Sequence, residues 1–255
     1  MQKWFDTPSG RYLLAWERAA FDRAVGDIFG YHALQLGLPE LDTLAANRMP
    51  HKWLALREPQ AAGAKGPRAA LVTDFSALPF EANSLDLVVL PHSLEFNTDP
   101  HATLREVERV LMPEGKVVIC CLNPSSLWGL RQRRAHLYKK LGFGKLFLPD
   151  AGEFIGYRRL RDWLRLLSFE VEAGSFGCYR PAVSTDKWLG RYQWMDPVGE
   201  RWWPIFGAVY FLVAVKRVRG IKLIGPVWKA APSSISTAPV PMAHRLHRNS
   251  ETDRL

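Results

Sequence analysis

Residues 69–123 decide the fold, and they read AALVTDFSALPFEANSLDLVVLPHSLEFNTDPHATLREVERVLMPEGKVVICCLN. Leu85–Pro91 is an apolar run of strand length, which is typical of a strand buried on both faces. Asp99 and Pro100 begin a helix, because Asp caps free backbone amides and Pro fits the first turn. Lys116–Leu122 is the next buried strand. Strand, helix and strand in this order predict a parallel βαβ unit and an α/β fold.

Polar residues follow the predicted strands, where parallel sheets bind their ligands beyond the carboxyl ends of the strands. A short strand over 69–73 is expected before the first of them. The four residues in question are Asp74, His92, Glu95 and Asn123. This placement is typical of a binding site, although ordinary polar loop residues also collect at strand ends. Alternatively, Asp74 has a structural role, in which its side chain caps its own turn.

The rest of the chain supplies the other elements of an α/β domain. Helical periodicity predicts helices over 9–29 and 154–167, with a short helix over 42–46. Further strands are expected over 31–37, 51–56, 168–179 and 204–218. The last two strands can pair antiparallel as a terminal hairpin with a long connection. Trp188, Trp194, Trp202 and Trp203 lie in that connection and are expected to pack in the core and in a lid, with a binding platform as the alternative.

Charge is distributed unevenly along the 255 residues, whose net charge is +9. Between Lys116 and Arg165 there are 11 Lys+Arg against 3 Asp+Glu. The segment 131–145 interleaves basic residues with His and Tyr, so it could contact nucleic acid by gripping phosphates and stacking on bases. The alternative is a solvated surface that keeps the protein soluble.

Three cysteines, two of them adjacent, do not form the spacing of a disulfide framework or of a metal site. We therefore expect no metal. The first eleven residues carry charges of both signs and do not resemble a signal peptide. The longest apolar stretch, 204–215, is shorter than the roughly 20 residues that span a bilayer. These features predict a cytoplasmic protein with reduced thiols and no membrane span.

Several motifs follow one another at fixed spacing within residues 74–115: D-x-x-x-L-P-F, L-D-L-V-V, H-x-L-E-F, D-P and L-R-E-x-x-R-V-L-x-P-E-G. This series resembles class I S-adenosylmethionine-dependent methyltransferases, and more narrowly the methyltransferase type 11 group. Residues 4–37 and the N-P-S-S-L-W-G-L-R stretch are similar to a bacterial subgroup of uncharacterised members. The resemblance implies methyl transfer from S-adenosylmethionine to an acceptor that the sequence does not name.

The resemblance also implies a Rossmann-like sheet of seven strands, mostly parallel with an antiparallel terminal hairpin, and helices on both faces. Residues 1–30 would form an N-terminal helical extension. Residues 31–225 would form the methyltransferase-like α/β domain, with a basic and aromatic insert at about 124–150. Residues 226–255 are rich in Pro, Ser and Ala and predict a disordered tail.

Matching the family's motifs position by position assigns the cofactor residues. Asp74 and Phe75 would hold the adenine, the carboxylate against its amino group and the ring against the base. Glu58 falls where the family places the carboxylate that grips the ribose hydroxyls. Leu90 and Pro91 would flank the methionine part of the cofactor.

The residues that follow would face the acceptor. His92 could act as a general base or orient the acceptor, because a neutral imidazole takes up a proton near pH 7. Its alternative role is a structural hydrogen bond at a strand end. Glu95 and Asn123 are candidates for substrate contact, and positioning alone could suffice for methyl transfer.

The chain departs from the family after its first strand, where the family has an acidic residue and a G-x-G-x-G loop. Gln35 stands at the acidic position, Gly37 is retained, and Pro39 and Leu41 replace the second and third glycines. Glycines there let the backbone approach the cofactor closely. The departure leaves a second hypothesis open, a non-catalytic methyltransferase-like protein that binds nucleic acid through 131–145. A third is a small-molecule enzyme that uses the fold for other chemistry.

Overall fold

The computed structural model describes residues 2–60, 66–140, 147–148, 154–183 and 185–218. Residues 1–218 form one compact unit. The predicted tail over 226–255 lies outside the described residues, as does most of the predicted insert beyond residue 140.

Seven strands and seven helices are found in the described part of the chain. The strands are β1 (His32–Leu36), β2 (His51–Leu56), β3 (Leu71–Val72), β4 (Leu85–Pro91), β5 (Leu111–Leu122), β6 (Phe169–Gly177) and β7 (Val209–Lys216). The helices are α1 (Gln2–Phe5), α2 (Pro8–Val25), α3 (Pro100–Val110), α4 (Leu127–Lys140), α5 (Tyr157–Leu166), α6 (Asp186–Arg191) and α7 (Met195–Trp202). A 3₁₀ turn spans Pro204–Phe206.

The strands form a single sheet in the order β3-β2-β1-β4-β5-β7-β6. The first five of these are parallel, whereas β7 runs antiparallel to both β5 and β6. This arrangement confirms the predicted mostly parallel sheet with an antiparallel terminal hairpin. The order reverses at β1 and β4, and a crevice at such a reversal is where open α/β sheets bind ligands.

Two hydrophobic cores lie on opposite faces of the sheet, because successive side chains of a strand point to opposite sides. Leu87 and Val89 of β4 pack with α2 and α4 on one face. Val88 and Leu90 pack with α3 and α5 on the other face. The prediction of helices on both faces is thus confirmed.

The short helix predicted over 42–46 is wrong, because these residues form a turn. Side chains hold that turn instead of helical hydrogen bonds. The backbone N–H of Leu44 donates to Asp42 Oδ1 at 3.2 Å, and the N–H of Thr43 donates to Gln35 Oε1 at 3.0 Å. The side chains of Asp42 and Gln35 thus bind N–H groups of this turn in place of helical carbonyls. Strand β3 is also shorter than predicted, with two residues instead of five.

The connection between β6 and β7 contains α6 and α7, which the sequence patterns did not predict. Its four tryptophans were expected in the core and in a lid, and the core assignment is wrong. Their exposed fractions range from 41% to 72%, in Trp188, Trp194, Trp202 and Trp203.

Candidate functional site

A cavity of about 450 Å³ opens at the carboxyl ends of β1, β2 and β4. It is lined by residues 37–40, 56–60 and 91–93, together with Phe75 and Phe96. Five of the residues that the sequence assigned to the cofactor or the acceptor line it: Gly37, Glu58, Phe75, Pro91 and His92. The sheet therefore brings together side chains that are up to 55 positions apart in the chain.

Gln35 organises the loop that forms one wall of this cavity. Its side-chain amide nitrogen donates to the carbonyl oxygens of Gly37, Leu38 and Leu41 at 2.8–3.0 Å. Its carbonyl oxygen accepts from the N–H and the hydroxyl of Thr43. The loop thus turns its carbonyl oxygens towards residue 35, so an amide fits there and a carboxylate, which cannot donate, does not.

Gly37 retains the property for which the family uses glycine. Its φ of +79° lies in the left-handed region, and a Cβ atom there would lie 3.2 Å from Ser93 Oγ. The Ser93 hydroxyl in turn donates to the carbonyl of Leu36. Any side chain at position 37 would strain the backbone and crowd the Ser93 hydroxyl.

The two residues that replace the family's second and third glycines lie in different surroundings. Pro39 lines the cavity, as the alignment with the family implies. Leu41 points into the core beneath α2, with no exposed surface, and does not line the cavity. The leucine therefore adds no bulk to the cavity wall, and its burial helps to fix the loop instead.

Asp74 and Phe75 follow β3 but differ in their surroundings. Phe75 is buried and lines the cavity. Asp74 is exposed and accepts a hydrogen bond from the N–H of Ser76 at 3.0 Å. Hydrogen bonds from Ser76 lower the pKa of Asp74. Asp74 therefore caps its own turn, and it does not belong to the cavity lining.

The D-x-x-x-L-P-F and L-R-E-x-x-R-V-L motifs meet in the structure. Glu106 Oε1 accepts from the N–H of Leu78 at 2.8 Å, while Arg109 donates to the carbonyls of Leu78 and Phe80 at 3.1 and 2.9 Å. Arg109 also pairs with Glu106 at 2.7 Å. These two side chains of α3 hold the turn after Phe75, so this part of the sequence signature is structural.

His92 lies between two buried acidic side chains. Its Nε2 is 2.6 Å from Glu17 Oε1, and its Nδ1 contacts Glu95 Oε1. Glu95 also accepts from the N–H of Leu122. Burial disfavours the imidazolium, but the two neighbouring negative charges outweigh it and raise the pKa of His92 to about 10. With both ring nitrogens donating, His92 has no lone pair to accept a proton.

Cys120 adds a thiol to this cluster. Its Sγ, Glu17 and His92 offer atoms within 4.8 Å of one another, which are residue types that bind metals. However, the ring donates directly to Glu17, and burial raises the pKa of the Cys120 thiol well above its ordinary value. Cys120 then donates to Glu17 Oε1 at 3.6 Å. The geometry is that of a hydrogen-bonded chain.

Four other residues singled out from the sequence lie outside the cavity lining: Gln35, Leu90, Glu95 and Asn123. Leu90 is packed in the core shared with α3 and α5. Asn123 is 3% exposed, and its amide donates to the carbonyls of Ile205 and Gly207 at 2.7 and 2.9 Å. Asn123 thus ties the end of β5 to the residues before β7.

Sequence reasoning missed Glu17 and Ser93 as residues of this region. Ser93 lies within the H-x-L-E-F stretch, so proximity to His92 was an available signal. Glu17 is a charged residue on α2 with no exposed surface. Its sequence position, 75 residues before His92, gives no indication that the two are in contact.

The chain is similar in sequence to known proteins. Residues 54–119 match the family described as a methyltransferase domain. Over 172 residues the chain is 33% identical to the uncharacterized protein YafS of Escherichia coli, covering 66% of this chain and 65% of YafS. The chain thus spans just under two thirds of that relative.

Solved structures share the fold. One is the methyltransferase bound to the Haloferax volcanii Trm112 methyltransferase activator, at 18% identity and a TM-score of 0.56, covering 86% of this chain and 96% of the other. Another is a SAM-dependent methyltransferase from Thermotoga maritima, at 19% identity and a TM-score of 0.56, covering 81% and 92%. At these identities the likeness concerns the fold.

The fold is that of class I methyltransferases, with the order of strands and the reversed hairpin described above. The match of residues 54–119 to the methyltransferase-domain family is consistent with the type 11 group that the motif series predicted. No helix in the described part of the chain has the length and apolar character needed to cross a bilayer.

Proposed function

We propose that this protein transfers a methyl group from S-adenosylmethionine to an acceptor, and that the cavity beyond β1, β2 and β4 holds the cofactor. The observation that carries the proposal is the coincidence of that cavity with Gly37, Glu58 and Phe75, three positions to which the family assigns cofactor contacts. Its volume of about 450 Å³ falls in the range of small-molecule sites.

The residues of the cavity fit an adenosine-containing molecule. Glu58 offers two carboxylate oxygens that can accept hydrogen bonds from neighbouring hydroxyl groups. Phe75 and Phe96 offer apolar surface for a base. Gly37 lets the backbone come close to the ligand. When bound, S-adenosylmethionine supplies an activated methyl group, and the protein's task is to align an acceptor with it.

For His92 we propose a positioning role. Its ring is part of the cavity wall, and Glu17 and Glu95 fix its orientation from both sides. For His92 to act as a general base, Glu17 or Glu95 would have to give up its hydrogen bond to the ring, so that one ring nitrogen becomes free. In this proposal, Glu95 orients the ring of His92. Asn123 fixes the loop before β7 on the acceptor side of the cavity.

The test is ligand-dependent stabilisation, measured as the change in melting temperature with S-adenosylhomocysteine. At a hundredfold excess over Kd we expect wild type to gain about 5 °C. Glu58→Gln should weaken affinity about tenfold, because a charged hydrogen-bond acceptor is lost. Glu81→Gln is the matched control, since Glu81 is exposed and lies outside the cavity lining.

No stabilisation of the wild type would overturn the proposal. Equal weakening by Glu58→Gln and Glu81→Gln would overturn the assignment of the cavity, since the effect would then come from net charge.

A further inference from the structure

Helix α4 presents an apolar stripe to solvent. Four large side chains on it are 48–60% exposed, namely Leu127, Leu130, Leu137 and Tyr138. At about 100° per residue, these positions fall within an arc of about 100°. The opposite side of the helix holds Trp128 and Gln132, which are buried at 1% exposure. Among the residues that the structure describes, the core uses one side of α4 and leaves a second apolar side exposed.

Positive charge surrounds this stripe. Helix α4 contains Arg131, Arg133, Arg134, Lys139 and Lys140, and no acidic residue. By the same helical geometry, Arg134 falls within the stripe, while Arg131 and Arg133 flank it on its two sides. This exposed side of α4 therefore offers both apolar surface and positive charge to an anionic surface.

Exposed aromatic side chains lie near the start of α4. Trp202, Trp203, Ile205 and Phe206 are 41–72% exposed. Asn123, four residues before α4 begins, donates to the carbonyl of Ile205 at 2.7 Å. The exposed segment 202–206 therefore approaches the residues that lead into α4. Tryptophan prefers the boundary between hydrocarbon and water, where its ring is apolar and its N–H remains hydrated.

We propose that α4 and residues 202–206 dock this protein on the surface of an anionic lipid bilayer. The leucines and Trp202 enter the interface, and Arg133 and Arg134 contact the lipid phosphates. Nucleic acid has the same charge, but it would leave the three leucines in water, because bases stack on aromatic rings and phosphates contact cations. Lipid uses both the aliphatic and the basic groups. This docking is independent of methyl transfer.

The test is co-flotation of the full chain with vesicles of phosphatidylcholine, with and without phosphatidylglycerol. We expect binding to the vesicles that contain phosphatidylglycerol, and weaker binding as salt is raised. Leu130→Glu and Leu137→Glu should each weaken it about tenfold, because a charge replaces an inserted side chain. The double variant Arg133→Gln, Arg134→Gln should lose about fivefold for each charge removed.

Matched controls distinguish the stripe from a general effect of charge. Leu166 on α5 is 83% exposed, so Leu166→Glu makes the same chemical change at an exposed site outside the stripe. Arg158→Gln, also on α5, is the control for the arginines. Both controls should bind vesicles as the wild type does.

Three results would overturn the proposal. The first is no binding to the phosphatidylglycerol vesicles at low salt. The second is an equal loss in Leu166→Glu and Leu130→Glu. The third is a gel shift with single-stranded RNA that Leu130→Glu abolishes while vesicles fail to bind, which would assign the surface to nucleic acid.

Discussion

Two loops at the carboxyl edge of the sheet, those after β1 and after β3, are held in place by different side-chain contacts. After β3, the family's motif residues are present, and Glu106 and Arg109 of α3 hold the backbone of Leu78 and Phe80. After β1, the family's acidic residue and two of its glycines are absent. There, Gln35 holds three carbonyl groups of the loop with one amide.

The comparison shows that a loop can keep a well-defined conformation although it has lost the family's motif. A glycine-rich loop can present N–H groups to an acidic side chain, whereas this loop presents carbonyl oxygens to an amide. Gln35 and the carbonyls it binds are therefore matched to each other. Gly37, whose positive φ requires glycine, is the member of the motif that stays.

Gln35→Glu should have the largest effect, although it restores the family's type of residue. A carboxylate at 2% exposure would face three carbonyl oxygens without a donor. We expect the free energy of unfolding to fall by about 4 kcal/mol, as for an uncompensated buried charge. Urea denaturation at neutral pH measures it.

Gln193→Glu is the control, since Gln193 is exposed in the turn between α6 and α7. It should change the free energy of unfolding by less than about 0.5 kcal/mol. If Gln35→Glu were as stable as the wild type, the loop would not depend on this amide.

Arg109→Lys tests the other loop. Lysine cannot reproduce the planar fork that binds Leu78, Phe80 and Glu106 together. We expect a loss of about 2 kcal/mol, smaller than for Gln35→Glu because Arg109 is partly exposed. Arg105→Lys, at an exposed position of the same helix, should be neutral. Equal effects of the two substitutions would show that the turn is held by other contacts.

The pH dependence of stability tests the part of the cavity wall that His92 forms. There, ion pairs rather than an amide hold the geometry. The pKa of His92 is about 10 in the folded protein and about 6.5 in an unfolded chain. Its contribution is therefore fully present below pH 6.5 and is lost as pH rises towards 10. The slope from this group is at most about 1.4 kcal/mol per pH unit.

His92→Gln removes the titrating group and should flatten the fall between pH 7 and 9 relative to the wild type. Urea denaturation of both proteins at several pH values measures the difference. Parallel curves for the two proteins would contradict the assignment of His92 as a protonated bridge.

The sequence allowed most of the fold to be predicted, because buried strands and helix caps are local signals. Leu85–Pro91 and Asp99-Pro100 lie where they were expected. The turn over 42–46 was missed because the contact with Gln35 comes from another element. The exposed tryptophans were misassigned because aromatic residues usually pack inside, and no local pattern shows which ones remain uncovered.

The sequence placed Glu58 and Phe75 near the ends of strands, and both line the cavity. The contact of Glu17 with His92 was not predictable, because helix periodicity places a residue on a face without identifying its partner. The Asp74 side chain instead accepts from the N–H of Ser76 in an exposed turn, which the family's motif does not specify.

The most direct test of the account is a calorimetric titration of the wild-type protein with S-adenosylhomocysteine. The central claim is that the loop held by Gln35 still forms a cofactor site. It predicts binding of one ligand per chain in the micromolar range, which Gly37→Ala weakens strongly while the protein stays folded. No heat of binding at millimolar ligand from folded wild-type protein would contradict the claim.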